Sequence, residues 1–264
     1  MRYRNPAGLA SAVGAATAPA GSGAEPQVDR AAVDKAFETL KSYDWGADRD
    51  LLNPIDDAVV ATSGDAAGRE ALERRLLAAL TSGISRAAVD FVCRKLRTVG
   101  TARSVPALAA LLPDKDLSHM ARYALERIPA PEAAQAMREA LPRLSGALKA
   151  GVAGSLGVRR DGASVPGLAA SLAERDPAVL RASAHALGLI GTRDAAEALV
   201  GASATAPESV KPAIVDACLA CADRLLAGGH KSQAVAIYRS LSRDDQPKHV
   251  RLAAARGLLA AKRD

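Results

Sequence analysis

Ser104-Val105-Pro106-Ala107-Leu108-Ala109-Ala110-Leu111-Leu112 recurs, sixty residues further on, as Ser164-Val165-Pro166-Gly167-Leu168-Ala169-Ala170-Ser171-Leu172. Sixty residues are too many for one pair of helices and suit two units of about thirty. Each unit contains a helix ending in a Leu closely preceded by small residues. Taking Leu96, Leu125, Leu156, Leu187, Leu219 and Leu258 as anchors gives spacings of 29, 31, 31, 32 and 39 residues. The last spacing reads as widened by the interruption Ala227-Gly228-Gly229-His230-Lys231.

The unit around Leu187 is the clearest. Asp176-Pro177 predicts a helix start, with Asp as N-cap and Pro in the first turn, where its missing N–H costs nothing. Val179, Ser183, Ala186, Leu187 and Ile190 share one helical face. Gly188 and Gly191 bring the helix to its end. Thr192-Arg193-Asp194 then caps a second helix carrying Ala195, Ala198, Leu199 and Ala202. Such a hairpin cannot hide its apolar stripe alone, so neighbours must stack on it.

Composition agrees. Hydrophobic residues make up 49% of the 264, but aromatics only 3%, so the interior must be built from Ala, Leu and Val. Alanine is the best helix former and lets helices approach closely. The reading is all-α: a right-handed solenoid of about six to seven stacked antiparallel hairpins.

The string Asp176 to Gly191 resembles the HEAT repeat, in the short bacterial form found in phycobilisome-lyase-like proteins. His249-Val250-Arg251-Leu252-Ala253-Ala254-Ala255-Arg256-Gly257-Leu258 is similar to the same first helix. The resemblance covers about residues 85–264. It departs from the family pattern at Leu180, where Arg is usual, and in copies that lack an Asp–Arg pair, so a continuous internal salt-bridge ladder is not implied.

Residues 85–264 form the array. Residues 30–84 read as an N-terminal helical cap with a first irregular hairpin. Helices are expected over Val33–Tyr43, with Val33, Ala36, Phe37 and Leu40 on one face, and over Pro54–Ala61 and Arg69–Leu80. Residues 1–29 are expected to be a disordered tail. The alternative is an export signal, since Arg2 and Arg4 precede a small-residue stretch. The cytoplasm is the favoured location, with periplasm or envelope the alternative.

The search for chemistry leaves little. Cys218-Leu219-Ala220-Cys221 lies inside an apolar helix with no second ligand pair, so Cys93, Cys218 and Cys221 read as buried structural thiols. The HEAT-like deoxyhypusine hydroxylases hold a di-iron centre with His-Glu pairs, but none of His119, His185, His230 or His249 is followed by Glu. The HEAT-like DNA-alkylation glycosylases imply aromatic residues over DNA, yet residues 85–264 offer only Phe91, Tyr123 and Tyr238. No phosphate loop or nucleophile elbow occurs. No catalytic, cofactor or metal residues are assigned, no cofactor is expected, and the chain is expected not to be an enzyme.

Charge suggests a partner. Residues 1–84 carry 9 Lys and Arg against 12 Asp and Glu, and residues 85–264 carry 26 against 17. Arg103, Arg159, Arg160 and Arg193 fall in turns inside hairpins, which stacking would align along one edge. Asp114, Asp116, Glu174 and Asp176 fall in turns between hairpins. The arginine edge is the candidate site for another protein with an acidic face. Trp45, beside Tyr43 and Asp44, is a further candidate contact if exposed, although a plug sealing the cap is the expectation. Nucleic acid is not the expected partner, and no apolar run reaches the ~20 residues of a membrane span. The leading function is a non-catalytic protein–protein interaction scaffold. The alternative is a HEAT-like enzyme or enzyme-associated module, chromophore-lyase-like or glycosylase-like.

Overall fold

The computed structural model describes residues 29–262, and all regular structure among them is helical. The cap is α1 (Arg30–Ser42), α2 (Asn53–Ala61) entered through a 3-10 turn (Arg49–Leu52), and α3 (Ala66–Leu80). The array follows as α4 (Arg86–Val99), α5 (Val105–Ala109), α6 (Ser118–Leu125), α7 (Pro131–Ala140), α8 (Gly146–Arg159), α9 (Val165–Ser171) and α10 (Pro177–Ile190). It continues with α11 (Arg193–Thr205), α12 (Lys211–Ala227), α13 (Lys231–Leu241) and α14 (Lys248–Ala260). The tail or export-signal reading lies outside the described residues, apart from Asp29, which caps α1 by accepting from the N–H groups of Ala31 and Ala32.

The starts and stops are those the local chemistry asks for. Asp176 accepts from Ala178 N–H at the head of α10, Thr192 from Ala195 N–H at the head of α11, and Ser85 from Ala88 N–H at the head of α4. Gly191 closes α10 in the left-handed region (φ 66°), where an L side chain would be strained. Arg160 closes α8 in the same conformation (φ 53°) without being glycine.

Two layers result. α4, α6, α8, α10, α12 and α14 lie side by side, with α8 on α10 and α10 on α12 the most extensive contacts. The helices α5, α7, α9, α11 and α13 form the second layer, each packed against the first-layer helix that follows it. This is a helical solenoid of stacked HEAT-like hairpins. Most long-range side-chain hydrogen bonds join residues one unit apart: Glu126 to Ser155, Arg122 to Gly151 O, Arg159 to Leu125 O, Cys221 to Thr192 O.

Leu96, Leu125, Leu156 and Leu187 are fully buried in the first layer. Leu219 and Leu258 correct the expectation, since both are only partly buried. The next position in register after Leu187 is Cys218, 31 residues on and 3% exposed. In α14 the inner face is Val250, Ala254 and Gly257. The supposed interruption at 227–231 is the ordinary turn from α12 to α13, and the extra length comes from the 17-residue α12. Trp45 is not a plug: it is 66% exposed. Tyr43 fills that role, 9% exposed, with its carbonyl accepting from Ser85 Oγ.

Candidate functional site

Ala66, Arg69, Glu70 and Glu73 recur at i, i+3, i+4 and i+7 and so share one face of α3. That face meets the turn after α4, where Gly100 ends the helix and Thr101 caps a 3-10 turn (Ala102–Ser104). Between them lies a cleft of about 330 Å³, lined by Ala66, Arg69, Glu70, Glu73, Thr101 and Arg103.

Its floor is Glu73, a carboxylate 1% exposed. Glu73 accepts from Thr101 N–H at 2.7 Å, from Thr101 Oγ1 at 3.0 Å and from the Ser104 hydroxyl. The Thr101 hydroxyl accepts in turn from Arg103 N–H at 3.2 Å. A buried charge survives only when its lone pairs are met, and these donors meet them, so Glu73 ties α3 to the next unit. At the mouth the Arg103 guanidinium pairs with Glu70, both about half exposed. The hydrogen bond from Arg103 holds the Glu70 carboxyl below its ordinary range, and the same bond raises Arg103. Arg69 donates to Thr98 O beside them. The cleft thus offers a carboxylate and two guanidiniums at its opening over a satisfied polar floor.

The arginine edge comes out unevenly committed. Arg103 belongs to the cleft. Arg159 is half-buried and donates to Leu125 O and Ile128 O at 2.7 Å, capping the end of α6, and burial pulls its pKa down. Arg193 is exposed and bonded to Glu197 on its own helix at 2.8 Å, which raises it. Arg160 is exposed at the α8 terminus. Trp45 lies on the loop after α1, its N–H donating to Asp44 Oδ1 at 2.8 Å. No hydrogen bond or ion pair joins any two of these five residues.

Burial pushes the thiols of Cys93 and Cys218 up to about 12 and Cys221 to about 11. Among the described residues no cluster of three His, Cys, Asp or Glu is placed to hold a metal ion. Reading the sequence missed Glu70, Glu73, Arg69 and Thr101. The available signal was Glu73 sharing a face with Leu76 and Leu80, which puts a carboxylate where an apolar residue is expected.

The HEAT repeat family matches residues 139–218, the end of α7 through the first half of α12. That stretch of the array, about a third of the chain, is thus similar to HEAT repeats. No curated protein matches it. Among solved structures it is similar to human deoxyhypusine hydroxylase in complex with glycerol, with 19% identity, 72% of this chain and 94% of that chain covered, and a TM-score of 0.34. The expectation of a non-catalytic interaction scaffold is corrected at this point. The similar structure is that of an enzyme, and the scaffold reading is not taken further. Among the described residues no helix is long and apolar enough to cross a membrane.

Proposed function

We propose that this chain serves an enzymatic reaction as a HEAT-repeat module, and that the cleft between α3 and the 100–104 turn binds its small ligand. The cleft carries the reading. Its volume of about 330 Å³ suits a small polar molecule. Its charges of both signs suit a zwitterion: opening the Arg103–Glu70 pair frees a guanidinium for a carboxylate and a carboxylate for an ammonium group.

We place the bond-making groups on an associated enzyme, because the Thr101 hydroxyl and Glu73 are spent on each other and on the turn. The basic balance of residues 85–264 suits an associated protein with an acidic face.

Calorimetric titration with a panel of amino acids and related zwitterions tests this. Saturable binding by the wild type, lost in Arg103→Ala and Glu70→Gln, is the expected result. If no zwitterion binds, or both variants bind unchanged, the cleft reading fails. Turnover by the purified chain alone, whether release of an alkylated base from DNA or transfer of a chromophore seen by its visible absorbance, would move the chemistry onto this chain.

A further inference from the structure

The inner face of α14 packs on α12 and α13 through Val250, Ala254 and Gly257. Its outer face carries Leu252 and Leu259, 62% and 61% exposed, with exposed Ala255 between them. These three stand at i, i+3 and i+7 and make one stripe along the helix. A helix face left open in a solenoid stays solvated by being polar, and the open face of α14, the last described helix, presents two leucines. Single exposed leucines are ordinary, but two aligned on one face are not. The stripe has basic flanks: residues 248–262 hold Lys248, Arg251, Arg256 and Lys262 and no acid, with Arg251 paired to Asp244 just before the helix.

The opposite end of the molecule is its complement. Trp45, Leu51 and Val60 are 66%, 49% and 69% exposed there. In that part of the chain residues 29–62 hold eight Asp and Glu against four Lys and Arg, with Asp44, Asp48, Asp50 and Asp57 exposed. Two α14 stripes facing each other would set like charges together, whereas α14 against the acidic end pairs apolar with apolar and basic with acidic. We propose that the α14 face docks on the acidic N-terminal end of a second copy of this chain, giving head-to-tail association. Such a contact uses two different surfaces and leaves one of each open at the ends of any short oligomer. The arrangement does not depend on the α3 cleft.

Sedimentation velocity on the full chain tests it. The expected result is association that grows with concentration, weakens at high salt, and does not stop at two copies. Leu259→Glu at one end and Trp45→Ser at the other should each weaken association at least about tenfold, both being solvent-facing changes that leave the helical circular dichroism intact. An equimolar mixture of the two variants keeps one good surface on each partner and should recover association as far as a heterodimer. A monomer at every concentration, a symmetric dimer indifferent to salt, or a mixture that fails to recover would overturn the proposal. So would association that appears only after removal of residues 1–28, which would make that segment the occupant of the face.

Discussion

A Cβ added to Gly157 would lie 2.6 Å from Ala186 Cα, so α8 and α10 touch at a place where only glycine fits. One unit later Gly188 meets Ala217 in the same way, with the nearest backbone oxygen 2.8 Å from the added carbon. Both pairs are 29 residues apart, so the repeat is stacked by backbone contact as well as by leucine burial. Gly154, on the same helix as Gly157, has nothing within 4 Å of its added Cβ.

These three glycines should therefore respond with opposite signs. Gly157→Ala and Gly188→Ala should each destabilise by about 1–3 kcal/mol, because a backbone neighbour cannot move aside cheaply. Gly154→Ala should stabilise by about 0.5–1 kcal/mol, from helix propensity alone. Urea unfolding of the three variants measures this, and equal effects at all three positions would contradict the packing described.

The thiols give a second expectation. Burial keeps Cys93, Cys218 and Cys221 protonated, so a thiol-reactive dye at neutral pH should label the denatured chain and leave the native one untouched. The sign of the pH dependence follows from the direction of the shift. From the ordinary thiol value of 9 up toward about 12, the folded chain holds protons that the unfolded chain has released. Stability should therefore fall as pH rises through that window, and less steeply in a Cys93→Ala, Cys218→Ala double variant.

Glu73 should behave as a clamp. Glu73→Ala leaves the Thr101 N–H and the Ser104 hydroxyl without their acceptor, at a cost of about 1–3 kcal/mol. Ser104→Ala made on top of it should cost less than it does in the wild type. Additive losses in that cycle would show that the three residues do not work as one unit. Arg103→Ala, at the solvent-facing mouth, should leave the melting temperature unchanged.

Trp45 is the sole tryptophan, so its emission reports one place. In dilute protein it should be red-shifted and open to iodide, while Tyr43→Ala should destabilise the cap, because Tyr43 is the buried ring. A blue, quencher-protected emission in monomeric protein would contradict the exposed loop.

Where the chain speaks through backbone chemistry, it could be read directly. Asp176, Thr192 and Gly191 predict caps that form, and Val33, Ala36, Phe37 and Leu40 predict the face that α1 buries. The anchor row was legible only while its residue type stayed constant. At the fifth step register requires position 218, which is Cys, and Leu219 beside it draws the eye because it is the larger apolar residue. The arginine edge was legible as a set of turns but not as a surface, since whether a guanidinium is free depends on acids and carbonyls a unit away. Glu70 pairs with Arg103, and the end of α6 takes Arg159. The cleft was hidden for the same reason: Glu73 and Thr101 are 28 residues apart, and only stacking brings them together.

The central claim is that each hairpin is held by its immediate neighbours. Its most direct test is a pair of double-mutant cycles on the buried leucines. Leu156 and Leu187 lie on adjacent helices, so Leu156→Ala and Leu187→Ala should couple by about 0.5–3 kcal/mol. Leu96→Ala and Leu187→Ala, separated by α6 and α8, should add to within about 0.5 kcal/mol. Coupling as strong between Leu96 and Leu187 as between the adjacent pair would mean one undivided core, and would contradict the stacked array.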